Sequence, residues 1–172
     1  MTDARTPRSL QVGRSRRRRV LLWIVVATAA VGFGAWFVTH PAPLPVASDP
    51  VEVEVPLGEA AYVGVYDPAA DDDRTLHISG TDIEVDGAAT VVARVCRGGT
   101  VSVTSDPEQF CSSLDHADGA TLEPGDGLVI EILDADEAGD VNISPMELTF
   151  RDGIRWGTQP VGPPVEATFL SR

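Results

Sequence analysis

Lysine is absent from the 172 residues, so all 13 basic side chains are arginines. No physical requirement of a fold forbids lysine, and biased codon use in a GC-rich genome is the expected source. Histidine is nearly as scarce. Hydrolytic chemistry needs a nucleophile held by a base, and the chain has neither a Gly-x-Ser-x-Gly elbow nor a His-Glu-x-x-His pair. His40 borders an apolar run, His77 falls inside an alternating pattern, and His116 sits in Leu114-Asp-His-Ala-Asp118 with no serine singled out to complete a triad. No catalytic residue and no cofactor are expected, so an enzyme here would be a cryptic one.

Cysteine is limited to Cys96 and Cys111, 15 positions apart. That spacing excludes a close redox couple, and no thioredoxin-like βαβ pattern surrounds it. In an oxidising compartment the two should form a structural disulfide, stabilising by about 3 kcal/mol in the chain-entropy account. No cysteine lies where a processed lipid anchor would need one, and Met1-Thr-Asp lacks the glycine that myristoylation requires. Any membrane attachment must therefore come from the chain itself.

Residues 20–38, VLLWIVVATAAVGFGAWFV, carry no charge and follow Arg14-Ser15-Arg16-Arg17-Arg18-Arg19. Nineteen residues rise roughly 28 Å as a helix, close to the hydrocarbon thickness of a bilayer. A cleavable signal usually has a shorter apolar stretch ending in small residues, whereas this run ends in Trp36-Phe37-Val38-Thr39-His40-Pro41. A soluble core helix would show polar residues every 3.6 positions, but Thr28 is the sole polar side chain well inside. The reading is one transmembrane α-helix, partnered by lipid. Arg16, Arg17, Arg18 and Arg19 should hold the N-terminus in the cytoplasm and leave the C-terminal part outside the plasma membrane. Trp23 and Trp36 suit the two interfaces. The small pairs Thr28/Gly32 and Ala30/Gly34 offer a face for weak helix-mediated self-association.

Charge divides at the run. Seven arginines against Asp3 give residues 1–19 a net +6, whereas six arginines against 25 acids leave −19 beyond residue 39. The basic cluster beside a span orients it and meets anionic headgroups, and the acidic remainder repels nucleic acid. It suits a cationic partner or divalent ions. Four organisational pieces follow: a basic tail over 1–19, the span over 20–38, a proline-rich linker over 39–50 expected to be an extended spacer, and one domain over 51–172.

The outer domain reads as strands. Alternation marks 51–55, 61–66, 75–79, 90–96, 100–105 and 128–133, punctuated by Asp86-Gly87, Gly98-Gly99, Pro124-Gly-Asp-Gly127 and Asp152-Gly153. Outside the span, no ten residues carry a helical apolar stripe free of glycine and proline. Eight to ten short strands with such turns predict an all-β ectodomain, an antiparallel β-sandwich immunoglobulin-like in outline. Around Asp152-Gly153 the expected hairpin has a three-residue loop, Arg151 to Gly153. It pairs Phe150 with Ile154, Leu148 with Trp156 and Thr149 with Arg155, and so sends Trp156 to the core.

The acidic stretch Asp134-Ala-Asp-Glu-Ala-Gly-Asp-Val-Asn-Ile-Ser144 spaces oxygen ligands like a calcium loop. Asp134, Asp136, Asp140 and Asn142 fall at ligand positions, but Ala138 and Pro145 stand where two further ligands belong. Asp71-Asp72-Asp73 is a second cluster with a solvated turn as its simpler explanation. No metal site is expected. The sequence thus points to a membrane-anchored, non-catalytic binding or envelope-organising module with an unidentified protein or envelope partner; calcium-dependent adhesion or cryptic catalysis are the competing readings.

Overall fold

The computed structural model describes residues 13–68, 74–133 and 138–171, with backbone alone for 13–16. It divides into a unit ending at Val38 and a second running from Thr39. The first is the helix α1 (Gly13–Thr39), in which Arg17–Thr39 forms a 23-residue candidate span of mean hydropathy 2.1. Its apolar side chains, Trp23 and Phe33 among them, stand exposed along its length. Thr28 Oγ1 donates to the Ile24 carbonyl at 2.9 Å, so the one polar side chain well inside the run is satisfied by the helix itself, as a lipid environment demands.

The second unit is built from β1 (Val51–Pro56), β2 (Ala61–Tyr66), β3 (Leu76–Asp82), β4 (Val85–Asp86), β5 (Thr90–Arg97), β6 (Val103–Thr104), β7 (Ser113–His116), β8 (Thr121–Leu122), β9 (Gly127–Leu133), β10 (Gly139–Ile143), β11 (Met146–Asp152), β12 (Arg155–Val161) and β13 (Val165–Leu170). Three sheets form, in the orders β6-β2-β9-β5-β7, β12-β11-β3-β8 and β1-β13-β10-β4. Alternate residues of all three, including Val63, Ile130, Leu148, Phe150, Val165 and Phe169, meet in a single apolar core. This is the expected antiparallel β-sandwich, and among the described pairings the parallel β1–β13 ladder departs from it. The strand expected over 100–105 contracts to Val103–Thr104, because Val101 turns inward and the Val101 carbonyl presses on the Cβ-less Gly64 of β2.

The β11–β12 hairpin corrects the sequence expectation. Asp152 pairs with Arg155, Arg151 with Trp156, Phe150 with Gly157 and Leu148 with Gln159, so the loop is the two residues Gly153 and Ile154. Gly153 has φ +61°, the conformation a two-residue hairpin loop asks of its first position. This register turns Trp156 outward at 60% exposure and leaves Ile154 at 70%, whereas Phe150 and Leu148 remain buried.

The cover expected from Trp156 comes instead from the proline-rich segment. A Cβ on Gly157 would lie 3.2 Å from Pro41 Cδ, so the absent side chain is the seat for that proline. Gln159, next on the same face, accepts from the Leu44 amide at 2.9 Å through Oε1 and donates through Nε2 to the Pro41 carbonyl at 3.3 Å. Arg74 donates to Asp152 Oδ2 at 3.0 Å and to the Ala42 carbonyl at 3.4 Å, and the Gly162 amide reaches the Pro45 carbonyl at 3.2 Å. Leu44 is buried in the core cluster, which contributes on the order of 2 kcal/mol. Residues 41–45 are thus a strap on β12 rather than a free spacer.

Gln159→Ala should lower stability by about 1–3 kcal/mol, since it strands one part-buried donor and one acceptor. The drop would appear as a lower urea midpoint at unchanged m-value. A loss under about 0.5 kcal/mol, normal for a surface change, would contradict the strap.

Candidate functional site

Strand β9 is buried on both faces, which explains its nearly continuous apolar sequence. Leu128, Ile130 and Ile132 enter the main core, while Val129 joins Cys96, Val101 and Cys111 in a second cluster on the opposite face, flanked by Tyr62 and Leu114. Cys96 and Cys111 are disulfide-bonded with Cα atoms 5.1 Å apart. The bond ties the end of β5 to the second residue after the short 3₁₀ turn Pro107–Gln109 and so closes the loop leading to β7.

Glu131 interrupts the apolar run and is 8% exposed, an expensive place for a carboxylate unless it is paired. Arg94 Nε, from the neighbouring β5, donates to its Oε2 at 2.7 Å, and Tyr62 Oη, from β2 on the other side, donates to Oε1 at 2.7 Å. Burial, followed by the bond to Glu131, pushes the Tyr62 hydroxyl up to about 12. A second network lies at the end of β5. Arg97 donates to Asp115 at 2.8 Å, to Asp126 at 2.7 Å and to the Thr121 carbonyl at 2.6 Å. Asp126 also accepts from the Gly98 amide at 2.9 Å and the Glu123 amide at 3.1 Å. Burial alone would raise the Asp126 carboxyl, but these amides and Arg97 outweigh it and hold it below its ordinary range. Arg97 is raised in turn, first by its bond to Asp115.

Beside Tyr62 and the disulfide opens a cleft of about 730 Å³ lined by Tyr62, Leu114 and residues of the loop leading to β7, Asp106, Glu108, Cys111 and Ser112 among them. Its wall carries two acids, Asp106 and Glu108, and several hydroxyls. Ser112 Oγ donates to the Arg97 carbonyl at 2.9 Å, and Asp106 accepts from Gln109 Nε2 at 2.7 Å. A concave acidic wall of this chemistry suits a polar or cationic group, and among the described residues no histidine lines it beside its serines.

The residues singled out in the sequence scatter. Asp140 and Asn142 lie on β10, exposed and paired in register with Thr168 and Glu166, and Asp140 accepts from Thr168 Oγ1 at 3.0 Å. Asp134 and Asp136 lie outside the described residues, as do Asp71, Asp72 and Asp73. Among the described residues, no three acids, histidines or cysteines gather as a metal site would need. His77 Nδ1 meets Thr121 Oγ1 at 3.0 Å, and His116 lines a separate, smaller recess with Thr81 and Asp118. Sequence reasoning passed over Tyr62, Arg94, Glu131, Arg97 and Asp126. The signal that pointed to them was Glu131 itself, a lone charge inside the apolar strand Gly127–Leu133.

With only two tyrosines in the chain, the phenolate absorbance of the native protein minus that of Tyr62→Phe should isolate Tyr62 and show a midpoint near 12. Because the folded value is raised above 10.0, the stability this bond contributes is complete below pH 10 and disappears as pH climbs through 12. A difference midpoint near 10 would mean that Tyr62 does not bond Glu131.

No known family pattern matches the chain, and no curated protein sequence matches it either. Among solved structures, the Vibrio cholerae VesB protease is similar at 14% identity and a TM-score of 0.34 over 79% of this chain. The chain spans 35% of that protein's length, and so weak a likeness carries nothing about activity.

Proposed function

We propose that this is a single-pass plasma-membrane protein whose arginine-rich tail is cytoplasmic and whose outer β-sandwich is a non-catalytic binding or envelope-organising module. The observation that carries the binding role is the acidic cleft beside Tyr62, whose wall is the loop fixed at Cys111 by the disulfide. A rigid wall loses little entropy on binding, so a cleft built this way favours recognition. Asp106 and Glu108 match a cationic group on the partner, as does the net −19 beyond residue 39. The tight polar groups nearby support the same reading, because Tyr62, Arg94 and Glu131 are committed to one another. The topology rests on the +6 flank before the apolar run. The helix faces bearing Thr28/Gly32 and Ala30/Gly34, open along the helix, supply a route to weak pairing.

Crosslinking in intact membranes followed by pull-down tests the proposal. The native chain should capture a defined envelope partner, and Asp106→Lys with Glu108→Lys should reduce that capture at least tenfold while the disulfide still forms. Protease added to intact cells should remove the C-terminal domain and spare an N-terminal tag. Equal capture by the charge-reversed chain would overturn the cleft as the binding surface, and a soluble shortened protein in the medium would overturn the anchor.

A further inference from the structure

The outer face of the β12-β11-β3-β8 sheet carries one row of side chains that crosses all four strands in register. Trp156 of β12 pairs with Arg151 of β11, Arg151 with His77 of β3, and His77 with Thr121 of β8. Neighbouring strands lie about 4.8 Å apart, so indole, guanidinium, imidazole and hydroxyl form a line roughly 14 Å long. Trp156, Arg151 and His77 are exposed, Trp156 at 60%. Beside the row, Thr158 and Thr149 bond each other at 2.8 Å, and within it His77 Nδ1 meets Thr121 Oγ1 at 3.0 Å. The threonine pair shares one proton, which leaves a second proton and spare lone pairs for a ligand.

Arg151 gives the row its sign. Arg74, Arg94 and Arg97 are paired with Asp152, with Glu131, and with Asp115 and Asp126, whereas among the described residues Arg151 pairs with no carboxylate. Its neighbours on the face are Trp156, His77 and Thr149, and Asp152, next in sequence, is already held by Arg74 at 3.0 Å. The nearest acid on that face of β11 is Glu147, four residues and roughly 13 Å along the strand, beyond a screening length of about 8 Å at physiological salt. Among the described residues the row is thus locally cationic on a domain that is acidic elsewhere.

We infer that this face binds an acidic saccharide, with a pyranose ring stacked on Trp156, its carboxylate on Arg151, and hydroxyls of the next ring on His77 and Thr121. A pyranose presents a face of C–H bonds ringed by hydroxyls; an exposed indole covers the first, and hydroxyls and a ring nitrogen bond the second. A guanidinium takes a carboxylate through two parallel N–H bonds, which fixes the orientation of the sugar. A lipid surface calls for more apolar area than one indole among hydroxyls supplies. A second copy brings a domain of the same acidic sign, and strand addition along the β12 edge meets Pro160, which has no N–H to give. The row lies on a different sheet from the acidic cleft, and neither that cleft nor the topology of the anchor is needed for it.

The chain has three tryptophans, so Trp23→Phe with Trp36→Phe leaves Trp156 as the sole emitter. That full-length variant, solubilised in a detergent without a sugar headgroup, would be titrated with cellobiouronic acid and with cellobiose, which differ by a carboxylate in place of a hydroxymethyl group. The acid should give a saturable change in Trp156 emission, with an affinity at least tenfold above that of cellobiose. Arg151→Gln should remove that preference, since about tenfold is what one charge-assisted hydrogen bond contributes. Calorimetry on the native chain covers a failure of the double variant to fold. By that readout Trp156→Ala should abolish binding and Trp156→Tyr, which keeps a stacking ring, should retain part of it. Equal affinity for the two sugars, or a preference that survives Arg151→Gln, would overturn the inference. So would binding lost with Asp106→Lys and Glu108→Lys yet kept with Trp156→Ala, which would put the sugar in the cleft. An emission change that follows protein concentration without sugar would mean a second copy on this face, and would overturn it too.

Discussion

Seating of the 41–45 strap on the inner face of β12 is the constraint from which the arrangement of the β unit follows. Gly157 leaves the space, Pro41 fills it, and the Gln159 amide closes it with one bond in each direction. Without the strap, the half-buried residues Gly157 and Gln159 would lie open on an edge strand, and the apolar face of β11 would lack part of its cover. Because the strap takes that role, Trp156 and Ile154 are released from packing. A proline-rich segment suits the task, since its extended backbone loses little entropy on docking and spends few donors.

On the five-stranded sheet a different economy operates. Its outer face has a small apolar cluster around the disulfide, and the remaining burial is achieved with paired charge: Glu131 between Arg94 and Tyr62, and Asp126 between Arg97 and two backbone amides. Such networks are costly to break, because removing one partner strands the other in a poorly hydrated site. They fix the floor beside which the acidic cleft opens. The cleft wall is thus negative and held by the disulfide, and the hairpin tip leaves Trp156 and Ile154 exposed.

Much of this was legible in the sequence because it follows from local pattern. The apolar run with its arginine flank specified a span-length helix, and period-two alternation located β1, β2, β5 and β9 to within one residue and β3 to within three. The cysteine pair forms the disulfide. What escaped depended on partners distant in sequence. Leu148 and Phe150 did face the core, but the hairpin register could not be read by maximising apolar pairing within the hairpin, since the cover for Gly157 lies 116 positions earlier at Pro41. β10 and β13 were hidden for a related reason: Gly139–Ile143 is polar at alternate positions and reads as a ligand-rich loop until its pairing with Val165–Leu170 is known. The cleft residues Asp106 and Glu108 carry no motif at all and acquire meaning only when the disulfide brings their loop beside Tyr62.

Amide hydrogen exchange of the full-length protein in a bilayer mimic tests the strap most directly, because the Leu44 amide is bonded to Gln159 Oε1 and the Gly162 amide to the Pro45 carbonyl. Both should be protected to the level of the β11–β12 ladder, and Ala47 and Ser48, exposed further along the same segment, should exchange far faster. If Leu44 and Gly162 exchanged as fast as Ala47 and Ser48, residues 41–45 would be a free spacer, and the account of β12 and of the exposed Trp156 would fail together.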